Sequence, residues 1–167
     1  MSERSLVLLK PDTLQRGLAG RIISRLEDRG LQIVGLKLMQ MDMPTAQRHY
    51  AEHVEKPFFA GLASFMMSRP IVAMAVQGKN AVEVVRKTMG ATNPQNAEPG
   101  TIRGDMAVDI GRNLIHGSDS PESAERELAI FFGEGELLDY AREVEPWVTE
   151  SCPAPCPPAT PAPAGRS

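Results

Sequence analysis

Asn113-Leu114-Ile115-His116-Gly117-Ser118-Asp119-Ser120 is the run whose reading decides the fold. Leu114 and Ile115 make a short apolar strand with one imidazole, His116, at its end. Gly117 permits a backbone turn that a side chain would resist. Ser120 ahead of Pro121 reads as a helix N-cap with proline at the first helical position. His116 is therefore expected where a strand hands over to a helix, beside unpaired N–H groups and the positive end of a helix dipole, a setting that suits an anion. The following helix carries Ala124, Glu127, Leu128 and Phe131 at i, i+3, i+4, i+7, which puts Glu127 on its buried side. A buried carboxylate needs a partner, and His116 is the nearest candidate. A lone histidine is usually only a satisfied polar group. One held by a carboxylate beside an anion site is a nucleophile or a base.

Three further strands are expected upstream. Residues 5–9 are apolar and end at Lys10-Pro11-Asp12, residues 31–41 alternate, and residues 71–76 form a third buried run. Between them, Asp12 or Thr13 caps a helix reaching to about Arg29, where Gly30 stops it. A short helix opens at Pro44-Thr45 and ends before Pro57, another spans 58–67, and Asn80 caps a helix to Met89. Residues 90–104 form a long loop rich in Asn, Pro and Gly, the kind of loop that is usually functional. Residues 106–110 suggest a brief extended piece. The β-α-β-(α)-β-α-β order predicts an α+β fold: a ferredoxin-like sandwich with four antiparallel strands and helices covering one face.

Composition bounds the possibilities. The chain has 167 residues, enough for one domain over 1–150, and a formal charge of -3, which argues against a general nucleic-acid surface. The apolar run Leu6-Val7-Leu8-Leu9 is too short for a signal peptide, and no stretch approaches a membrane span, so a cytoplasmic protein is expected. From Ser151 onward, proline and alanine dominate and no aliphatic residue exceeds alanine, so 151–167 reads as a disordered tail. Both cysteines, Cys152 and Cys156, lie there, leaving the body without a disulfide framework. No P-loop, dinucleotide fingerprint or G-x-S-x-G elbow occurs. His49-Tyr50-Ala51-Glu52-His53 fits the inverted zinc-protease pattern H-x-x-E-H. Its helix is only about two turns long between prolines, so the segment reads as a solvated amphipathic helix and the match as accidental.

The chain resembles the nucleoside diphosphate kinases from about Glu3 to Glu150. The resemblance is carried by N-x-x-H-G-S-D-S at Asn113 to Ser120 with S-A-E-R-E at Ser123 to Glu127. Lys10-Pro11-Asp12, Tyr50-Ala51-Glu52-His53, Lys56-Pro57-Phe58-Phe59, Arg69-Pro70, Thr92-Asn93-Pro94 and the run from Pro99 to Asp105 follow the family's order and spacing.

The resemblance implies that His116 takes the γ-phosphate of a nucleoside triphosphate as a phosphohistidine and passes it to a diphosphate, in ping-pong fashion. It implies that Glu127 orients the ring, with Ser118 and Tyr50 close by. Lys10, Arg86, Thr92 and Arg103 would contact phosphates, Phe58 and Ile110 would sandwich the base with Leu62 at the cleft edge, and Asn113 would reach the ribose. The implied cofactor is Mg²⁺ held mainly by the nucleotide, with no metal residue named. Implied substrates are ATP, GTP, GDP, CDP, UDP and their deoxy forms, and the implied assembly is a homo-oligomer, tetramer or hexamer, with no specific nucleic acid and no membrane. A different class would be a catalytically silent oligomeric scaffold of the same family. Such members typically lose the histidine or its neighbours, whereas His116, Glu127, Lys10 and Arg103 are all present.

Overall fold

Leu6, Val7, Leu8 and Leu9 have no exposed surface, which a strand achieves only when both faces of its sheet are covered. They belong to β1 (Glu3–Leu9); the other strands are β2 (Gln32–Met39), β3 (Ile71–Gly78) and β4 (Ile115–Gly117). The computed structural model describes residues 2–150, so the expected tail at 151–167, with both cysteines, lies outside the described residues. The helices are α1 (Pro11–Gln15), α2 (Ala19–Glu27), α3 (Met43–His49), α4 (Phe59–Met67), α5 (Ala81–Met89), α6 (Ile102–Met106), α7 (Pro121–Phe131) and α8 (Glu145–Val148). The sheet runs β2-β3-β1-β4 with every pair antiparallel, the ferredoxin-like order.

Helices cover both faces of this sheet, not one. Val7, Leu9, Met74 and Val76 meet Ile22 and Leu26 of α2, Val85 and Met89 of α5 and Ile102 of α6. Leu6, Leu8, Ala73 and Ala75 meet Ala46 of α3, Ala63 and Met66 of α4, and Leu128 and Phe131 of α7. The signal was the unbroken apolar character of 6–9 and 71–76, because a strand with one wet face would alternate. Side chains alternate along a strand, and His116 pairs with Leu8. The imidazole therefore joins the layer of α3, α4 and α7.

Four local expectations are corrected. The helix expected to reach Arg29 is two helices, broken at Gly17, whose φ of +65° ends α1 in the left-handed conformation. Asp12 and Thr13 do not cap it; they turn inward, the Asp12 carboxylate accepting from Leu114 N (3.0 Å) and the Thr13 hydroxyl donating to Leu114 O (2.6 Å). Asn80 makes no capping bond either, since Glu3 Oε1 accepts from Val82 N at 2.7 Å in its place. The extended piece expected at 106–110 is shorter and joins no strand: Ala107 and Asp109 are extended, between α6, which closes at Met106, and a 3₁₀ turn at Ile110–Arg112. The helix start at Ser120 matches expectation, with its hydroxyl accepting from Ser123 N at 3.0 Å.

Gly117 lies inside β4 and makes no turn. Its lack of a side chain serves close packing, because a Cβ there would come within 2.7 Å of Val85 Cγ1 and 2.6 Å of Met89 Sδ. Gly117→Ala is expected to lower stability by about 1–3 kcal/mol through overpacking. Chemical denaturation of the two proteins measures this, and unchanged stability would show that α5 can retreat without cost.

Candidate active site

Glu127 is 5% exposed, and both its oxygens are engaged. Ser118 Oγ donates to Oε2 at 2.6 Å and itself accepts from Leu6 N at 3.1 Å, which ties the carboxylate to the central strand. His116 Nε2 stands 3.2 Å from Oε1, close enough for charge attraction although not aligned as a hydrogen bond. Burial pushes the Glu127 carboxyl up, but His116, Ser118 and His49 together hold it below its ordinary value. Glu127 is thus an anion beside the imidazole. With Nε2 turned to the carboxylate, Nδ1 is the ring nitrogen left for a ligand.

A second imidazole completes the group. His49, the last residue of α3, is buried, packs edge-on against His116 (ring centroids 4.8 Å apart, planes at 88°) and approaches Phe131 at 5.2 Å. Its Nδ1 lies 3.9 Å from the same Glu127 oxygen. Burial first, then the neighbouring His116, push His49 down to about 3, so it is neutral at any ordinary pH. The expectation of a solvated helix fails here. His53 sits apart on the 3₁₀ turn Ala51–His53, beside Lys56 and Phe58, so the H-x-x-E-H residues share no helix face.

Cationic groups gather beside β4. Lys10 Nζ donates to Asn113 Oδ1 at 2.7 Å, and Asn113 Nδ2 donates to Thr92 O at 2.9 Å. Arg103, 3% exposed, donates to the carbonyls of Asn113 (3.2 Å), Gly90 (3.2 Å) and Ile115 (2.6 Å). Arg86 reaches toward Gly117 O at 3.5 Å. Burial and then Arg103 lower Lys10 to about 8; burial and then Arg86 lower Arg103 to about 10. Cations set this close together favour an anion beside them.

A cleft of about 320 Å³ opens beside Lys10, lined also by Tyr50, Glu52, Phe58, Leu62, His116 and Glu127, with Asp119 ahead of α7 and Ser123 and Arg126 on it. Burial and then Glu127 push the Tyr50 phenol up, so it stays protonated. Phe58 offers an exposed ring at the head of α4. Ser118 lies behind the cleft, Asn113 joins it through Lys10, and Arg103 and the Thr92 carbonyl join through Asn113. Arg86 and Ile110 are exposed and do not line it.

The sequence model of the nucleoside diphosphate kinase family matches residues 3–137. The chain belongs to this family. Nucleoside diphosphate kinases are phosphotransferases, and similar members come from distant sources. The one from Heliobacterium modesticaldum is 57% identical over 148 residues, covering 89% of this chain and 99% of its own. The one from Archaeoglobus fulgidus is 53% identical over 148 residues, with 89% and 98% covered. Among solved structures, the halophilic nucleoside diphosphate kinase of Halobacterium salinarum in complex with CDP superposes with a TM-score of 0.87 at 52% identity, covering 89% of this chain and 99% of that one. A family protein from Babesia bovis gives 0.86 at 38%, with 88% and 99% covered.

His49 is the site residue that the reading of the residues missed. A usable signal existed in its spacing from Ala46, since α3 turns both toward the core. Lys10 provides a test of the electrostatics. Its amine titrates at about 8 in the folded chain against the ordinary 10.5. Between those values the unfolded chain binds the extra proton, so this residue's contribution to stability rises with pH from about 8 to 10. Denaturant titrations across that window should show the slope in the native chain and lose it in Lys10→Met.

Proposed function

We propose that this chain transfers the γ-phosphoryl group of a nucleoside triphosphate to a nucleoside diphosphate through a phosphohistidine at His116. The observation that carries the reading is His116 in a cleft that also holds Lys10 and Arg126, with Nε2 facing a buried Glu127. In the first half-reaction Nδ1 attacks the γ-phosphorus, the P–N bond forms, the bond to the β,γ-bridging oxygen breaks, and the diphosphate leaves with its electron pair. The positive charge that develops on the ring is stabilised by the Glu127 carboxylate, which Ser118 keeps from rotating. In the second half an oxygen of another diphosphate displaces the histidine, and the ring returns to its starting state: ping-pong covalent catalysis.

Little covalent work falls to other side chains, because phosphoryl transfer depends on positioning and charge. Lys10, Arg86, Arg103 and Thr92 are assigned to the phosphates, and the protonated Tyr50 donates a hydrogen bond in the cleft. The base stacks on Phe58 with Leu62 at its edge and Ile110 opposite, and Asn113 serves the ribose. Stacking uses a π-face that every base has, so purine and pyrimidine, ribo- and deoxyribonucleotides are accepted: ATP, GTP, GDP, CDP, UDP and deoxy forms. The CDP carried by the Halobacterium salinarum relative agrees with a diphosphate acceptor.

Mg²⁺ belongs to the nucleotide in this scheme. It is a hard cation that takes oxygen ligands. Among the described residues the group of His, Cys, Asp or Glu close enough to share an ion is His49, His116 and Glu127, two nitrogens to one oxygen. That set does not suit Mg²⁺, so the ion enters on the phosphates. No described helix is long and apolar enough to cross a membrane, and we assign the protein to the cytoplasm. Edge strand β2 exposes Leu36 at 52% and Leu38 at 67%, an apolar strip that supports assembly into a homo-oligomer, tetramer or hexamer.

Incubation with γ-labelled ATP and Mg²⁺ tests the proposal. Native protein should acquire acid-labile, alkali-stable label that GDP or CDP discharges, and His116→Ala should acquire none. Folded native protein that takes no label would sink it and favour a catalytically silent scaffold. For the base, Phe58→Ala should raise KM by roughly tenfold for all four bases, given about 1–3 kcal/mol per stacked base. A loss confined to purines would contradict stacking as the basis of tolerance.

A further inference from the structure

The ring nitrogens of His49 are both buried and neither has a hydrogen-bond partner, and Nε2 of His116 is in the same condition. Three orphaned nitrogens around one carboxylate are unusual, because buried polar atoms almost always find partners. His116 and Glu127 serve the proposed transfer, and His49 has no part in it. One donor atom from each of His49, His116 and Glu127 lies within 4.8 Å of the others. The side chains are 1%, 25% and 7% exposed, so the group is walled on one side and open to the cleft through His116.

We infer that His49, His116 and Glu127 form a site for a divalent ion of borderline softness, Zn²⁺, and that the bound ion switches the histidine off. Zn²⁺ takes two imidazoles and a carboxylate readily, with bonds near ~2.0–2.1 Å, which set neighbouring donor atoms about 3.3 Å apart in a tetrahedron. The His116–Glu127 pair stands at 3.2 Å and the His49–Glu127 pair at 3.9 Å. Small rotations of the two rings draw the remaining pair inward. A fourth position faces the cleft, where a water molecule completes the shell. Mg²⁺ does not compete, for it avoids nitrogen ligands.

The consequence for transfer rests on the proposed role of His116. The ion occupies Nε2, the nitrogen turned away from the phosphate. It draws electron density from the ring and takes over the carboxylate that would stabilise the developing charge. Nδ1 is left as a poor nucleophile while the phosphate and base contacts are untouched. Inhibition therefore falls on the step that phosphorylates His116. No bond to phosphorus is made or broken by the ion, and it leaves on chelation with the protein unaltered.

Equilibrium dialysis of the full chain against Zn²⁺, with Cys152→Ser and Cys156→Ser so that no thiol contributes, should give one ion per chain. His49→Gln and Glu127→Gln should each weaken binding at least tenfold, and His53→Gln should not. X-ray absorption on the zinc-loaded protein should report two imidazole nitrogens in the first shell, a readout that holds even if a substitution impairs folding. Loaded protein freed of excess zinc and given MgATP should take label on His116 at least tenfold more slowly, with recovery on adding a chelator. Binding that ignores His49→Gln, a shell with a single imidazole, or full labelling of loaded protein would overturn the inference. Absence of label without zinc would count against the phosphotransfer reading alone, since dialysis and absorption still report the site.

Discussion

A buried carboxylate organises this molecule. Glu127 lies on the inward stripe of α7, and an unpaired charge there would cost several kcal/mol. Ser118 answers one oxygen and is itself fixed by the backbone of β1, while two imidazoles crowd the other. The need to satisfy one anion thus draws together the central strand, the short strand β4, and helices α3 and α7. What makes the fold cohere at this point also sets the orientation of His116. Stability and chemistry share one set of contacts, and a change that loosened α7 would disturb both.

Beside this carboxylate, cations stand close together. Burial and then Arg103 depress the protonation of Lys10, burial and then Arg86 that of Arg103, and the Arg103 guanidinium is held by three carbonyls. Carbonyl dipoles fix an arginine in place without cancelling its charge, so the field stays available to a ligand. A carboxylate there would have made a quieter protein and a weaker anion site. Asp12 comes nearest to that role, yet one of its oxygens is committed to the backbone of Leu114 and the other has no partner.

Much of this was legible in the residues. The four strands, their order and the pairing of Glu127 with His116 follow from apolar runs and from a spacing of i, i+3, i+4, i+7. Glycines were harder to read, because their purpose is set by distant partners. Gly17 ends a helix by its backbone angle, and Gly117 makes room for Val85 and Met89. His49 was concealed by composition: a polar, proline-bounded segment reads as surface until α3 is seen packed against α7. The resemblance to a known family covered the cleft, but it did not bring His49 into view, since that residue stands beside a motif position and outside the residues quoted for the match.

Leu114 adopts φ of +72°, a conformation costly for a branched side chain, and Asp12, Thr13 and Lys10 clamp it there, the last through its backbone N–H at 2.8 Å. Only two residues later comes His116, in a strand three residues long. Which side of the sheet receives the imidazole is therefore a question of parity, counted from that clamp. One residue more or fewer between Leu114 and His116 would deliver the ring to the greasy layer of Val85 and Met89, leaving Glu127 facing a void. The segment acts as a keyed connector that admits one count, so variation in chain length has to be absorbed elsewhere in the loops.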